Sequence, residues 1–173
     1  MVMFSVGDKV IYGSNLLCSF DGIQDKEFDH KTLRYYVIKP IFERGSTIYV
    51  PFESDDIDKK IHRLLSVGEI NAVLTANQEE DTIWIENEKE REERYRRILT
   101  ENDRIIALKL LKTLCLRKAL GKKLNVSDER ILKDAQKTLF DELAYVLNVK
   151  RERVLPFILE QAEVSVKHSE RSV

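Results

Sequence analysis

Val6-Gly7-Asp8-Lys9-Val10-Ile11-Tyr12 and Tyr49-Val50-Pro51 bracket a stretch with short-strand chemistry throughout. Gly7-Asp8 opens a strand at Lys9-Val10-Ile11-Tyr12, and Pro51 stops the last one, because proline has no N–H to give to a ladder. Between them, Leu16 to Phe20 with Ile23 to Phe28 reads as one bent strand. Leu33 to Lys39, rich in β-branched and aromatic residues, reads as another, and Thr47 to Val50 as the last. Asp29-His30-Lys31 and Glu43-Arg44-Gly45-Ser46 have turn chemistry, with Gly45 able to take a positive φ. Short antiparallel strands this close together predict a small β-barrel over residues 1–55.

Beyond Pro51 the period changes from two to that of a helix. Ile57, Ile61, Leu64 and Leu65 predict one short helix, and Ser66-Val67-Gly68-Glu69 is a capping box for a second, with Val67, Ile70, Val73 and Leu74 turned inward. A polar linker is expected over about 76–85. Glu86 to Leu99 predicts a charged helix in which Glu90–Arg94, Glu92–Arg96 and Glu93–Arg97 pair at i,i+4. Asn102 or Asp103 caps the next helix, Arg104 to Leu120, which is apolar on almost every side and so belongs inside a bundle, with Gly121 as its stop. Ser127 is expected to cap the following helix. A last helix over about 150–163 holds Pro156, which predicts a late start or a kink, and the tail from Val164 is polar. The fold class is therefore α+β: an SH3-like or Tudor-like antiparallel barrel (1–55), then an all-helical domain (56–173).

The net charge of −1 conceals strong local bias. From Gln78 to Glu93 there are 8 acids against Lys89 and Arg91, whereas Arg104 to Lys123 holds 7 bases and no acid. Such a block attracts phosphates. It is equally consistent with Lys109, Lys112, Arg117 and Lys118 laying their stems along a buried helix and pairing with distant acids. No run reaches the length of a membrane span, and the N-terminus lacks a signal-peptide pattern. Cys18 and Cys115 fall in different predicted domains, which suits a reducing, cytoplasmic compartment.

Catalytic constellations are hard to assemble from these residues. His30, His62 and His168 lie far apart, and no zinc signature, phosphate-binding glycine loop, nucleophile elbow or dinucleotide fingerprint occurs, so no cofactor is expected. Asp55, Asp56 and Asp58 could hold a divalent ion for a metal-dependent nuclease, but acids ahead of a helix more commonly serve its dipole. Trp84, the single tryptophan, is either a packing anchor or an apolar wedge against bases.

Phe4-x-Val6-Gly7-Asp8-x-Val10-x-Tyr12, Tyr35-Tyr36-Val37-Ile38 and Val50-Pro51 stand in the first half. Arg94-Tyr95, Ala107-x-x-Leu110-Leu111-x-x-Leu114, Gly121 and Leu132-x-x-Ala135-x-x-x-Leu139-x-x-Glu142-Leu143 stand in the second. In this order and spacing they resemble the CarD/CdnL family of bacterial RNA polymerase-binding transcription regulators over nearly the whole chain. The resemblance implies a Tudor-like domain docking on the polymerase β subunit, and a helical domain meeting promoter DNA at the upstream edge of the transcription bubble. It places polymerase contacts at Lys26, Glu27, Phe28 and Tyr49, and DNA contacts at Trp84, Arg94, Arg96 and Arg97. The chain departs from the family pattern where Gly13-Ser14-Asn15-Leu16-Leu17 replaces a proline-containing turn, and where Tyr49 takes a position usually held by arginine. Trp84 also stands further from Tyr95, across an acidic segment, and Glu129 replaces a basic residue. The expected protein is a monomeric, non-enzymatic regulator of open-complex formation; the alternative is an adaptor that docks on polymerase without touching DNA.

Overall fold

The computed structural model describes residues 3–76 and 83–170, with side chains described as far as Glu163. The chain divides into two compact units, Met1–Leu64 and Leu65–Val173. The fold is α+β, with an antiparallel sheet followed by helices.

The first unit contains β1 (Lys9–Tyr12), β2 (Leu16–Phe28), β3 (Lys31–Pro40), β4 (Ile48–Pro51), a single helical turn α1 (Ile57–Lys60) and β5 (Ile61–Arg63). They form one sheet in the order β4-β3-β2-β1-β5. Where a barrel was expected, the described ladder is open, with β4 and β5 as its edges. Both edges nevertheless feed one apolar cluster. Val50 from one side and Ile61 from the other join Val10, Cys18, Phe20, Tyr36 and Ile38. Burial of each such side chain contributes roughly 1.5–3 kcal/mol.

The helix expected over Ile57, Ile61, Leu64 and Leu65 is a correction. It lasts one turn, and Ile61 lies in a strand opposite Tyr12. Apolar residues four apart fit a helix, but β1 offers Ile61 a ladder, and Gly13 N–H donates to Lys60 C=O at 2.8 Å to start it. The bend in β2 is a β-bulge between Phe20 and Gly22. Gly22 has φ +109°, a conformation that L side chains rarely adopt, so glycine suits the position. Asp29 and His30, at φ 49° and 60°, form the two-residue turn joining β2 to β3, of the twisted type that matches flanking strands.

The second unit contains α2 (Val67–Thr75), α3 (Glu88–Glu101), α4 (Arg104–Ala119), α5 (Val126–Leu147), a 3₁₀ turn (Arg151–Arg153) and α6 (Val154–Glu170). The Ser66–Glu69 capping box forms as read, and Asp103 caps α4 by accepting from Ile106 N–H at 3.1 Å. The cap of α5 is Asn125, reciprocated by Asp128, and not Ser127; the motif starts two residues earlier than expected. Gly121 (φ +69°) stops α4, and Pro156 sits in the first turn of α6, where its missing N–H costs little. That helix runs on to Glu170, past the end expected from the sequence. The expected linker falls largely on residues 77–82, outside the described residues.

α4 is the centre of the bundle. Ala107, Leu108, Leu110, Leu111, Leu114 and Cys115 are buried, and α2, α3, α5 and α6 all pack on it. Its near-continuous apolar sequence has that cause.

Candidate functional site

The distal part of the β2–β3 hairpin extends beyond the sheet core, and residues 23–34 are exposed. Strand alternation sorts its side chains. Lys26 lies opposite Leu33, Gln24 opposite Tyr35 and Phe28 opposite Lys31, so these six share one face. Tyr49 of β4, two residues from Pro51 opposite Tyr35, joins the same face. There Lys26 Nζ lies 3.2 Å from the Tyr49 ring centroid, and the rings of Tyr35 and Tyr49 meet edge to face at 6.2 Å. Phe28 (74%), Leu33 (41%) and Tyr49 (38%) are all exposed. Three of the four residues expected to contact polymerase thus stand on one surface. Glu27 points to the opposite face, alongside Asp25, whose carboxylate binds Arg34 at 2.8 Å. That hydrogen bond holds the Asp25 carboxyl below its usual range. Leu33 and Tyr35 belong to the surface although the sequence did not single them out. A two-residue turn at Asp29-His30 carries the signal, because it alone sets the register that brings them opposite Lys26 and Gln24.

The residues expected to meet DNA are placed differently. Trp84 is half-buried against the bundle core. The Arg91 guanidinium carbon lies 4.1 Å from its ring centroid and that of Arg117 lies 3.4 Å away. Two guanidinium groups therefore crowd the indole ring. Arg91 is itself buried. It binds Asp128 through two parallel hydrogen bonds of 2.9 and 3.0 Å and donates to the carbonyls of Ile85 (2.7 Å) and Glu86 (3.2 Å). Tyr95 Oη donates to Ile83 C=O at 2.9 Å, which fastens the same segment to α3. On α3, Arg96 pairs with Glu92 at 2.8 Å; the Glu90–Arg94 and Glu93–Arg97 pairs do not close among the described residues. Arg94 is half-buried and Arg97 exposed.

Part of the basic block is consumed inside the bundle. Arg104 is buried and binds Glu142, whose second oxygen accepts from Leu65 N–H at 2.8 Å. Lys112 is buried and donates to the carbonyls of Val73 (2.8 Å) and Ala76 (2.9 Å), closing the C-terminal end of α2. Arg117 stacks on Trp84, and Lys118 pairs with Glu129 at 2.9 Å. Lys122 and Lys123, at the α4–α5 turn, are exposed.

Among the described residues, no group of three or more His, Cys, Asp or Glu side chains is placed to hold a metal ion. Within the proposed acidic trio, Asp56 pairs with Lys59 at 3.0 Å. Both cysteines are buried, and burial pushes the thiol of Cys18 up to about 11 and that of Cys115 up to about 12. Both thiols are therefore held protonated at neutral pH. No helix among the described residues is long and apolar enough to cross a membrane.

A family model described as the CarD-like/TRCF RID domain matches residues 4–65. No curated protein matches the chain. The matched residues contain the whole five-stranded sheet, with Lys26, Phe28 and Tyr49 on their shared face. This family is transcription-associated, interacts with RNA polymerase and works as a protein-interaction domain rather than a catalyst. Residues 4–65 are thus a CarD-like/TRCF RID domain.

Proposed function

We propose that this protein is a transcription regulator that docks on the β subunit of bacterial RNA polymerase through its N-terminal sheet. One observation carries the reading: Lys26, Phe28 and Tyr49 converge on one exposed face of the β2–β3 arm, inside the segment that matches the family. The exposed aromatic rings and the cation held over Tyr49 form the kind of surface on which a few residues supply most of the binding energy. Docking adds a strand to the sheet, the usual use of an exposed edge in peptide recognition.

Held there, the helical unit acts as a monomer near promoter DNA and biases the closed-to-open equilibrium by binding one state better than the other. A difference of about 1.4 kcal/mol shifts the populations tenfold. In this reading Arg94, Arg96 and Arg97 are the residues that meet phosphates, Arg96 by giving up its pairing with Glu92. The test is capture of the purified β subunit by the full chain. Phe28→Ala and Tyr49→Ala are expected to lose most of it, and undiminished capture by both overturns the docking surface.

A second reading is favoured by the crowding of Trp84 and by the internal partners of part of the basic block. In it the protein docks on polymerase as an adaptor, and its helices engage another protein instead of DNA. Fluorescence of Trp84 separates the two. A promoter fragment with an open bubble shifts or quenches the emission if the indole meets bases, and leaves it unchanged for an adaptor.

A further inference from the structure

The start of α3, the end of α4 and the start of α5 meet at one end of the bundle, because Arg91 binds Asp128 and Arg117 stacks on Trp84. The turn joining α4 to α5 is held firmly there. Gly121 N–H donates to Lys118 C=O at 3.1 Å and Lys122 N–H to Arg117 C=O at 2.9 Å, the paired closure of a helix ended by glycine. Asn125 and Asp128 cap the next helix, and Lys118 binds Glu129 across the turn at 2.9 Å.

This turn displays Leu120 (63% exposed) and Val126 (71%), the two most exposed large apolar side chains among the described residues of the second unit. Between them in sequence stand Lys122 and Lys123, both exposed, and neither closes an ion pair among the described residues. Glu86 and Glu88 flank the α3 cap Asn87, are exposed at the same end, and close no ion pair there either. One end of the bundle thus carries two cations, two carboxylates and two uncovered aliphatic side chains. Such a set is complementary to itself, the condition for a two-fold contact in which the same patch serves both partners.

We propose that this end of the helical unit binds the same end of a second copy of the chain. Lys122 and Lys123 of each copy meet Glu86 and Glu88 of the other, and Leu120 and Val126 leave water between them. A contact this small is transient. Phosphates are the rival occupant for two lysines, but they make no use of Leu120 or Val126. Asn125 and Asp128 already cap the start of α5, and Glu86 and Glu88 would repel an anion. The inference does not depend on docking to polymerase. It adds that the pair covers the end where Trp84 packs, so only the single chain presents that end to a promoter or to another protein.

Sedimentation equilibrium of the full chain tests this. The wild type is expected to pair as concentration rises. Its dissociation constant should increase at least about tenfold from about 0.1 to 1 M salt, as the Debye length falls from about 10 to 3 Å. Lys122→Glu with Lys123→Glu, and Glu86→Lys with Glu88→Lys, are each expected to stay monomeric. An equimolar mixture of these two double variants is expected to pair again, since every contact regains an opposite charge. That recovery also shows both variants to be folded. Pairing by either variant alone overturns the assignment, as does a mixture that stays monomeric while both keep the wild-type urea midpoint. A wild type that is monomeric at every concentration overturns the pair itself. If a DNA duplex then binds the wild type and not the lysine variant, the turn belongs to phosphates instead. Leu120→Ser with Val126→Ser is expected to weaken pairing about tenfold or more, and unchanged affinity contradicts their burial.

Discussion

The two units treat their charged residues in opposite ways. On the β2–β3 arm the charges lie at the surface: Asp25 and Arg34 pair in solvent, and Lys26 rests on an exposed tyrosine ring. In the bundle Arg91, Arg104 and Lys112 are buried and fully engaged by Asp128, Glu142 and the end of α2. A surface kept free of internal obligations is available to a partner. A cation spent on holding helices together is not. This contrast explains why a basic block with no acid in it does not by itself make a nucleic-acid site.

The largest effect that would break the comparison lies in the bundle. Glu142→Ala strands Arg104 and the Leu65 N–H in the interior and is expected to lower unfolding free energy by about 3–5 kcal/mol in urea titration. A loss within experimental error would mean that the buried pair holds nothing. Lys112→Met is expected to cost about 1–3 kcal/mol, because two carbonyls at the end of α2 lose their donor. Hydrogen exchange should show that helix fraying first.

Alkaline pH sharpens the same contrast. Burial pushes the phenol of Tyr95 from 10 up to about 12 and the thiol of Cys115 from 9 up to about 12. The folded state holds both protonated while the unfolded chain ionises earlier. Their contribution is therefore complete below about pH 9 and is lost as pH rises from there to about 12. The urea midpoint should fall across that window, and less steeply in Cys115→Ala. The smallest effect belongs to the arm. Asp25→Ala should leave the urea midpoint unchanged, since an exposed pair is screened by solvent; a clear drop would show that the arm is built like the bundle.

The strands of the first unit were legible because alternation, turn residues and Pro51 are all local signals. β5 was not, since Ile61 is a strand residue only because β1 lies beside it. The face shared by Lys26, Phe28 and Tyr49 was partly legible, needing only the register that Asp29-His30 imposes. The fate of the basic block was illegible for a different reason. Arg104 meets Glu142 and Lys112 meets Val73 across 38 and 39 residues of chain, and nothing local announces such partners.

The most direct measurement compares the affinity of the full chain for immobilised β subunit between substitutions on the β2–β3 face and at the α4–α5 turn. Lys26→Ala combined with Phe28→Ala should weaken binding by about 100-fold or more, the scale of losing two central contacts. Lys122→Ala combined with Lys123→Ala should leave it within about twofold, as rim charges commonly do. Binding that survives the first pair and collapses with the second would place the docking surface on the helices and contradict the assignment to the sheet.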